Sequence, residues 1–213
     1  MDAAILEGIL ADVSRLGPGW KLSVEVGKFV VSGTIRLEVD GESFGEYDIE
    51  IIFDDAYPDE IPKVWEVGGK IPREPGRHLN GGVWNACLFV EDERWTQWPN
   101  GSTFYDFVVR PVRNFFIGQI VYERTEKFPW GERPHNFEGS VDFYEKKLCI
   151  KGRPLVLRFL ELCISGPDPS LECPCGSGKQ LRSCHADHLE RISKEVPKTR
   201  MSVVCESIRR NDP

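Results

Sequence analysis

No stretch of the chain approaches the roughly 18 consecutive apolar residues that a membrane-spanning helix needs, which argues against an integral membrane role. Met1-Asp2-Ala3-Ala4 lacks the basic opening of a secretory leader, so the chain is expected to be cytoplasmic. There is no Gly-x-Gly-x-x-Gly after a strand and no Walker loop, hence no recognisable nucleotide site. Internal repeats and low-complexity tracts are also missing, which excludes solenoids and disordered arrays.

What is present is a globular composition: 213 residues, 40% apolar and 29% charged. That length suits one domain with an appendage, or two small ones. The net charge of −7 is uneven: residues 1–150 carry 16 Lys/Arg against 26 Asp/Glu, residues 151–213 carry 11 against 8. An acidic body argues against nucleic acid as a direct partner. In a reducing compartment the seven cysteines point to metal binding or catalysis rather than to disulfides.

Ile5, Leu6, Ile9, Leu10, Val13 and Leu16 recur at helical spacing, so residues 3–16 read as an amphipathic helix ended by Gly17-Pro18-Gly19. From Trp20 the period becomes two. Strands are expected at 21–26, 29–39 and 47–53, with Asp40-Gly41 as a hairpin turn. Pro58 and Pro62 force an extended link into a fourth strand at Val64–Val67. Residues 68–82 read as loop, and Glu91-Asp92-Glu93-Arg94 as a solvated charged turn. Helical spacing returns over 103–124, with Pro111 expected to kink or split the helix. A long loop at 128–140, helices at 141–149 and 154–163, and a Gly-Pro linker at 166–170 complete the pattern.

Two clusters carry chemistry. Cys87 follows a polar, Gly-rich loop containing His78, Asn80 and Asn85, and so reads either as a nucleophile with its support loop or as a small buried hydrophobe. The second cluster is Cys173-Pro174-Cys175-Gly176-Ser177-Gly178 followed by Cys184-His185. Three thiolates and an imidazole make a closed tetrahedral set for a structural Zn2+, with His188 as a spare ligand. Cys149, Cys163 and Cys205 read as packing residues.

The second cluster closely resembles the SEC-C zinc motif, whose relatives are thought to be protein-interaction adaptors. The first belongs to a longer pattern. Tyr57-Pro58-Asp59-Glu60-Ile61-Pro62-Lys63-Val64, then His78-Leu79-Asn80, then Cys87-Leu88, then Trp95, resembles the ubiquitin-conjugating-enzyme (UBC-like) family over roughly residues 1–125. Leu79 stands where that family has Pro, and Thr96–Gly101 is an insertion. The Gly-rich loop and Trp130…Phe143-Tyr144 look more like bacterial relatives in antiviral (CBASS or ubiquitin-like) gene clusters.

The resemblance implies an α+β UBC-like fold with an N-terminal helix, a four-stranded antiparallel meander, an active-site loop and C-terminal helices. The expected domains are a conjugating domain at 1–150 (core 1–125), a helix and linker at 151–170, a zinc motif at 171–190 and a tail at 191–213. It implies that Cys87 carries the C-terminus of a ubiquitin-like modifier, or of a cGAS-like nucleotidyltransferase, as a thioester, with activation supplied by a separate enzyme or bypassed. Asn80 would stabilise the oxyanion and His78 complete the site, its plainer role being to hold the loop. Glu91, Asp92 and Glu93 could orient the incoming lysine. The alternative is a non-catalytic binding scaffold of the same fold with a zinc adaptor. A cysteine protease would need His78 or His135 as base and has no supporting signature around Cys87.

Overall fold

The computed structural model describes residues 2–39, 41–131, 134 and 136–211. Asp40 of the expected turn and His135, the second candidate base, lie outside the described residues. The chain divides into two compact units, Met1–Phe89 with Asn100–Glu132 and Val90–Pro99 with Arg133–Pro213.

The first unit is α+β. Helix α1 (Ala3–Leu16) starts where the Asp2 carboxylate accepts from the Ile5 N–H at 2.9 Å, buries Ile9 and Val13, and ends at Gly17, whose φ of 118° suits glycine. Four antiparallel strands follow in the order β1 (Lys21–Glu25), β2 (Lys28–Val39), β3 (Glu42–Ile52) and β4 (Lys63–Glu66). The register aligns Val31, Ile51 and Val64 across three strands, and all three are fully buried.

The sheet packs with an aromatic helical layer: α2 (Phe104–Phe107), a π turn (Val108–Val112) and α3 (Arg113–Thr125), burying Phe104, Phe107, Phe115 and Phe116. Pro111 has no N–H to give an α-helical ladder, and the wide turn is the local form of the expected split. Thr103 and Asp106 cap the first helical turn reciprocally. The Thr103 backbone N–H, ahead of its hydroxyl, holds the Asp106 carboxyl below the usual range. Trp130 lies so close over Gly118 that a Cβ there would stand 2.0 Å from the ring.

The second unit is helical. A 3-10 turn (Glu91–Glu93) and a short helix (Arg94–Gln97) precede α4 (Asn136–Leu148), α5 (Arg153–Ser165), a 3-10 turn (Leu181–Ser183), α6 (Ala186–Glu195) and α7 (Lys198–Asn211). Tyr144, Leu148, Phe159, Leu160, Met201 and Ile208 form its core. Three expectations are corrected here. The loop at 128–140 gives way to helix at Asn136. Residues 191–211 are not a tail: Ile192, Met201, Val204 and Ile208 give them a buried helical face.

The charged turn is solvated only in part: Glu91 is exposed and Glu93 and Arg94 are half-buried. Asp92 has no exposed surface and pairs with Arg200 through two hydrogen bonds of 3.0 and 2.7 Å, while the Tyr144 hydroxyl donates to it at 2.8 Å. Trp95 packs against this same helical core.

Candidate functional site

The loop from His78 to Cys87 is closed by its backbone. Leu79 and Ala86 form an antiparallel bridge, and the Cys87 N–H donates to the His78 carbonyl at 2.8 Å. Inside that bridge the Asn80 N–H donates to Asn85 at 2.9 Å and the Trp84 N–H to Asn80 at 2.8 Å. The closed loop is fastened to β4: the Ala86 N–H donates to Val64 at 2.7 Å and the Trp65 indole to Val83 at 3.1 Å. The tight return places His78 (φ 50°), Gly82 (φ 82°) and Trp84 (φ 62°) in the left-handed region, which for non-glycine residues stores of order 1–3 kcal/mol each.

On this register Asn80 lies diagonally across from Cys87, a relation that separates Cα atoms by about 7–8 Å in an antiparallel pair. Asn80 is exposed, Cys87 half-buried and Asn85 buried. His78 is 7% exposed, its ring edge-on to Phe128 with centroids 4.5 Å apart. That setting suits a loop anchor more than a solvent-reached base.

The residue before the loop, Arg77, carries no signal in the sequence yet is 8% exposed. Its guanidinium pairs with Glu74 at 3.0 Å and Glu123 at 2.5 Å, and its carbonyl accepts from the Gln119 amide at 2.8 Å. Glu123 and Gln119 are i, i+4 polar neighbours on α3, a pairing on a largely apolar helix that the sequence could have flagged.

The second cluster closes through its side chains. The ligand atoms of Cys173, Cys175, Cys184 and His185 all lie within 4.8 Å of one another. His185 Nδ1 is 3.2 Å from both Cys173 and Cys184 Sγ, and Cys175 Sγ is 3.6 Å from Cys184 Sγ. Zn–S and Zn–N bonds of about 2.3 and 2.0 Å give tetrahedral edges of roughly 3.5–3.8 Å, close to these separations. The backbone makes a tight knuckle: Glu172 bridges Gln180, Cys173 N–H donates to Lys179 at 2.8 Å, and Gly176 and Gly178 turn the chain with φ of 79° and 69°.

His185 also hydrogen-bonds the Leu148 backbone, which leaves Nδ1 for a metal and fixes the tautomer from the other nitrogen. Burial, with His188 beside it, keeps that imidazole below its ordinary pKa and so in the neutral, ligating form. Burial pushes the Cys173 thiol up to about 12, while the Ser177 hydroxyl holds Cys175 down at about 7. A thiol that buried ionises only with a cation beside it, so the donor set fits a metal ion. His188 is not the ligand here: its Nδ1 donates to the Lys147 carbonyl at 3.0 Å.

The seven cysteines form no disulfide. Cys163 and Cys205 are buried, as expected of packing residues. Cys149 is exposed, in the left-handed position (φ 54°) that ends α4, and is not one. No helix among the described residues is long and apolar enough to cross a membrane. Compared with protein-family models, with curated proteins and with solved structures, the chain matches none.

Proposed function

We propose that the first unit is a UBC-like conjugating domain, with Cys87 as the thioester-forming residue, and that the second unit carries a structural Zn2+ in its Cys3His knuckle. The observation that carries the first part is the closed loop. One half-buried thiol sits at its end, with the exposed amide of Asn80 diagonally across the bridge.

In the reaction, the Cys87 thiolate attacks the activated C-terminal carbonyl of a ubiquitin-like modifier or cGAS-like nucleotidyltransferase. A new C–S bond forms as the old acyl bond breaks, and the leaving group departs with its electron pair as an anion. A neutral lysine amine then attacks the thioester: a C–N bond forms, the C–S bond breaks, Cys87 departs as thiolate and the surplus proton on nitrogen passes to water. Asn80 donates to the oxyanion of that second step. A thioester is already activated, so no strong base is required of this chain. Four protein ligands leave zinc no open position, so its contribution is folding energy for the knuckle.

The test is intact-mass analysis after incubation with an activating enzyme and a candidate modifier. A reductant-sensitive adduct is expected. It becomes a reductant-stable ester in Cys87→Ser and disappears in Cys87→Ala. In Asn80→Ala the adduct forms but transfer to an amine slows by about 10²–10³. A reductant-sensitive adduct that survives Cys87→Ala overturns the reading. Retained cellular function in Cys87→Ala would favour the binding-scaffold alternative.

A further inference from the structure

Strand β1 stops short of its neighbour. Lys21 lies opposite Ser32, whereas β2 runs on to Val39, and from Gly33 onward the register joins β2 to β3 alone. Peptide groups along a strand point alternately to its two sides. The Phe29 carbonyl accepts from Phe53 on the β3 side, and the Val30 carbonyl faces Ser23 on the β1 side. Even-numbered residues therefore aim their N–H and C=O at the uncovered edge, and beyond Ser32 these are Thr34 and Arg36. The next, Glu38, has its carbonyl held by Arg113 Nη2 at 3.0 Å.

Along this edge runs a cleft of about 440 Å³, lined among others by Arg15, Trp20, Thr34, Arg36, Tyr105 and Arg113. Three guanidinium groups from three elements meet there in a chain of net charge −7. Two are pre-oriented. Arg15 lies 3.7 Å over the Tyr105 ring, and Arg113 is fixed by its bond to Glu38. Arg36 makes an exposed, exchangeable pair with Glu46 at 3.5 Å. The Asp106 carboxylate, which acts on Arg15, is already engaged by Thr103 and Arg110. Trp20 packs over Gly33 and closes the end of the cleft beside β1.

We propose that the open edge of β2 is a docking site for an extended acidic peptide segment. The segment adds as a further strand, exchanging backbone hydrogen bonds with Thr34 and Arg36, while its carboxylates meet Arg15, Arg36 and Arg113. Main-chain pairing supplies affinity in such strand addition and side-chain contacts supply selectivity. The site is separate from Cys87 and does not rest on the conjugating role.

The probe is a fluorescein-labelled peptide of alternating glutamate and valine, followed by anisotropy on the full chain. Its controls are alternating lysine and valine, and the acidic peptide N-methylated at every residue, so that neither of its edges keeps a donor. The acidic peptide is expected to bind and the basic one not to. N-methylation should weaken binding at least tenfold, since it removes the strand's donors without changing its charge. In the double variant Arg36→Gln/Arg113→Gln binding should also fall at least tenfold, with circular dichroism unchanged. Amide exchange at Thr34 and Arg36 should slow on binding. Should the double variant misfold, the N-methylated arm on the unaltered chain still decides. Equal binding of the N-methylated peptide, equal competition by inorganic phosphate, or no binding up to about 1 mM overturns the proposal.

Discussion

Backbone hydrogen bonds close both the loop that carries Cys87 and the loop that carries Cys173, Cys175 and Cys184, but only the second also gathers its thiols. In the first, main-chain pairing leaves one thiol at the rim with an amide nearby. In the second, backbone pairing brings three thiols and an imidazole to one point, a donor set that could hold a metal ion. On the reading proposed above, the single thiol at the pinned loop serves covalent chemistry and the clustered thiols serve a metal ion. The units differ in the same sense. The first has a sheet and an aromatic layer to hold its loop, whereas the knuckle is short and leans on Phe159, whose ring centroid lies 5.0 Å from that of His185.

The sharpest way to break this contrast is to remove the metal. Chelation, or Cys184→Ser, should release one zinc per chain and unfold the knuckle. Metal binding supplies on the order of 10 kcal/mol in isolated zinc-finger peptides. Metal analysis and thermal melting followed separately in each unit check this: the first unit's transition should not move.

A smaller effect separates the helical core from the knuckle. Arg200→Met strands the fully buried Asp92 without its cation, and chemical denaturation should show a loss of about 3–5 kcal/mol in the second unit, zinc retained. In the sheet unit the matching test is Gly33→Ala. Its Cβ would stand 2.4 Å from the Trp20 ring, an overpacking cost of about 1–3 kcal/mol. Trp20→Ala in the same chain should relieve that clash, and a double-mutant cycle measures the coupling.

A dependence on pH is expected to be common to both units. Burial, with Asp12 second, pushes Tyr57 up to about 12, and burial, with Asp92 second, pushes Tyr144 up as well. The folded state therefore holds these protons beyond the unfolded value of about 10. Their stabilisation is intact below about pH 10 and is lost as pH rises through the folded values. Denaturation midpoints in each unit should fall between about pH 10 and 12, and Tyr57→Phe should flatten the fall in the first unit alone.

Much of this was legible in the residues because it is local. The apolar stripe of Ile9 and Val13, the period-two strands and the kink at Pro111 all follow from short-range spacing. So did the knuckle, since Cys173, Cys175, Cys184 and His185 lie within thirteen residues of one another. Long-range pairing was not legible. Asp92 looked like one acid in a solvated turn because its partner, Arg200, is over a hundred residues away. Arg77 gave no sign of burial because Glu123 and Gln119 reach it from α3. Residues 191–211 read as a tail because they follow the cysteine knuckle. Their apolar positions, Ile192, Met201, Val204 and Ile208, do recur at helical spacing.

The contrast between the two cysteine loops is tested most directly by alkylating the native, zinc-loaded chain with N-ethylmaleimide and locating the modified thiols by peptide mass spectrometry. Cys149, exposed, serves as the reference, and Cys163 and Cys205, buried, as the protected pair. Cys87 should be modified, while Cys173, Cys175 and Cys184 stay protected until a chelator is added and then react together. Modification of Cys175 and Cys184 at the rate of Cys149 without chelator, or protection of Cys87 under all native conditions, would contradict the account.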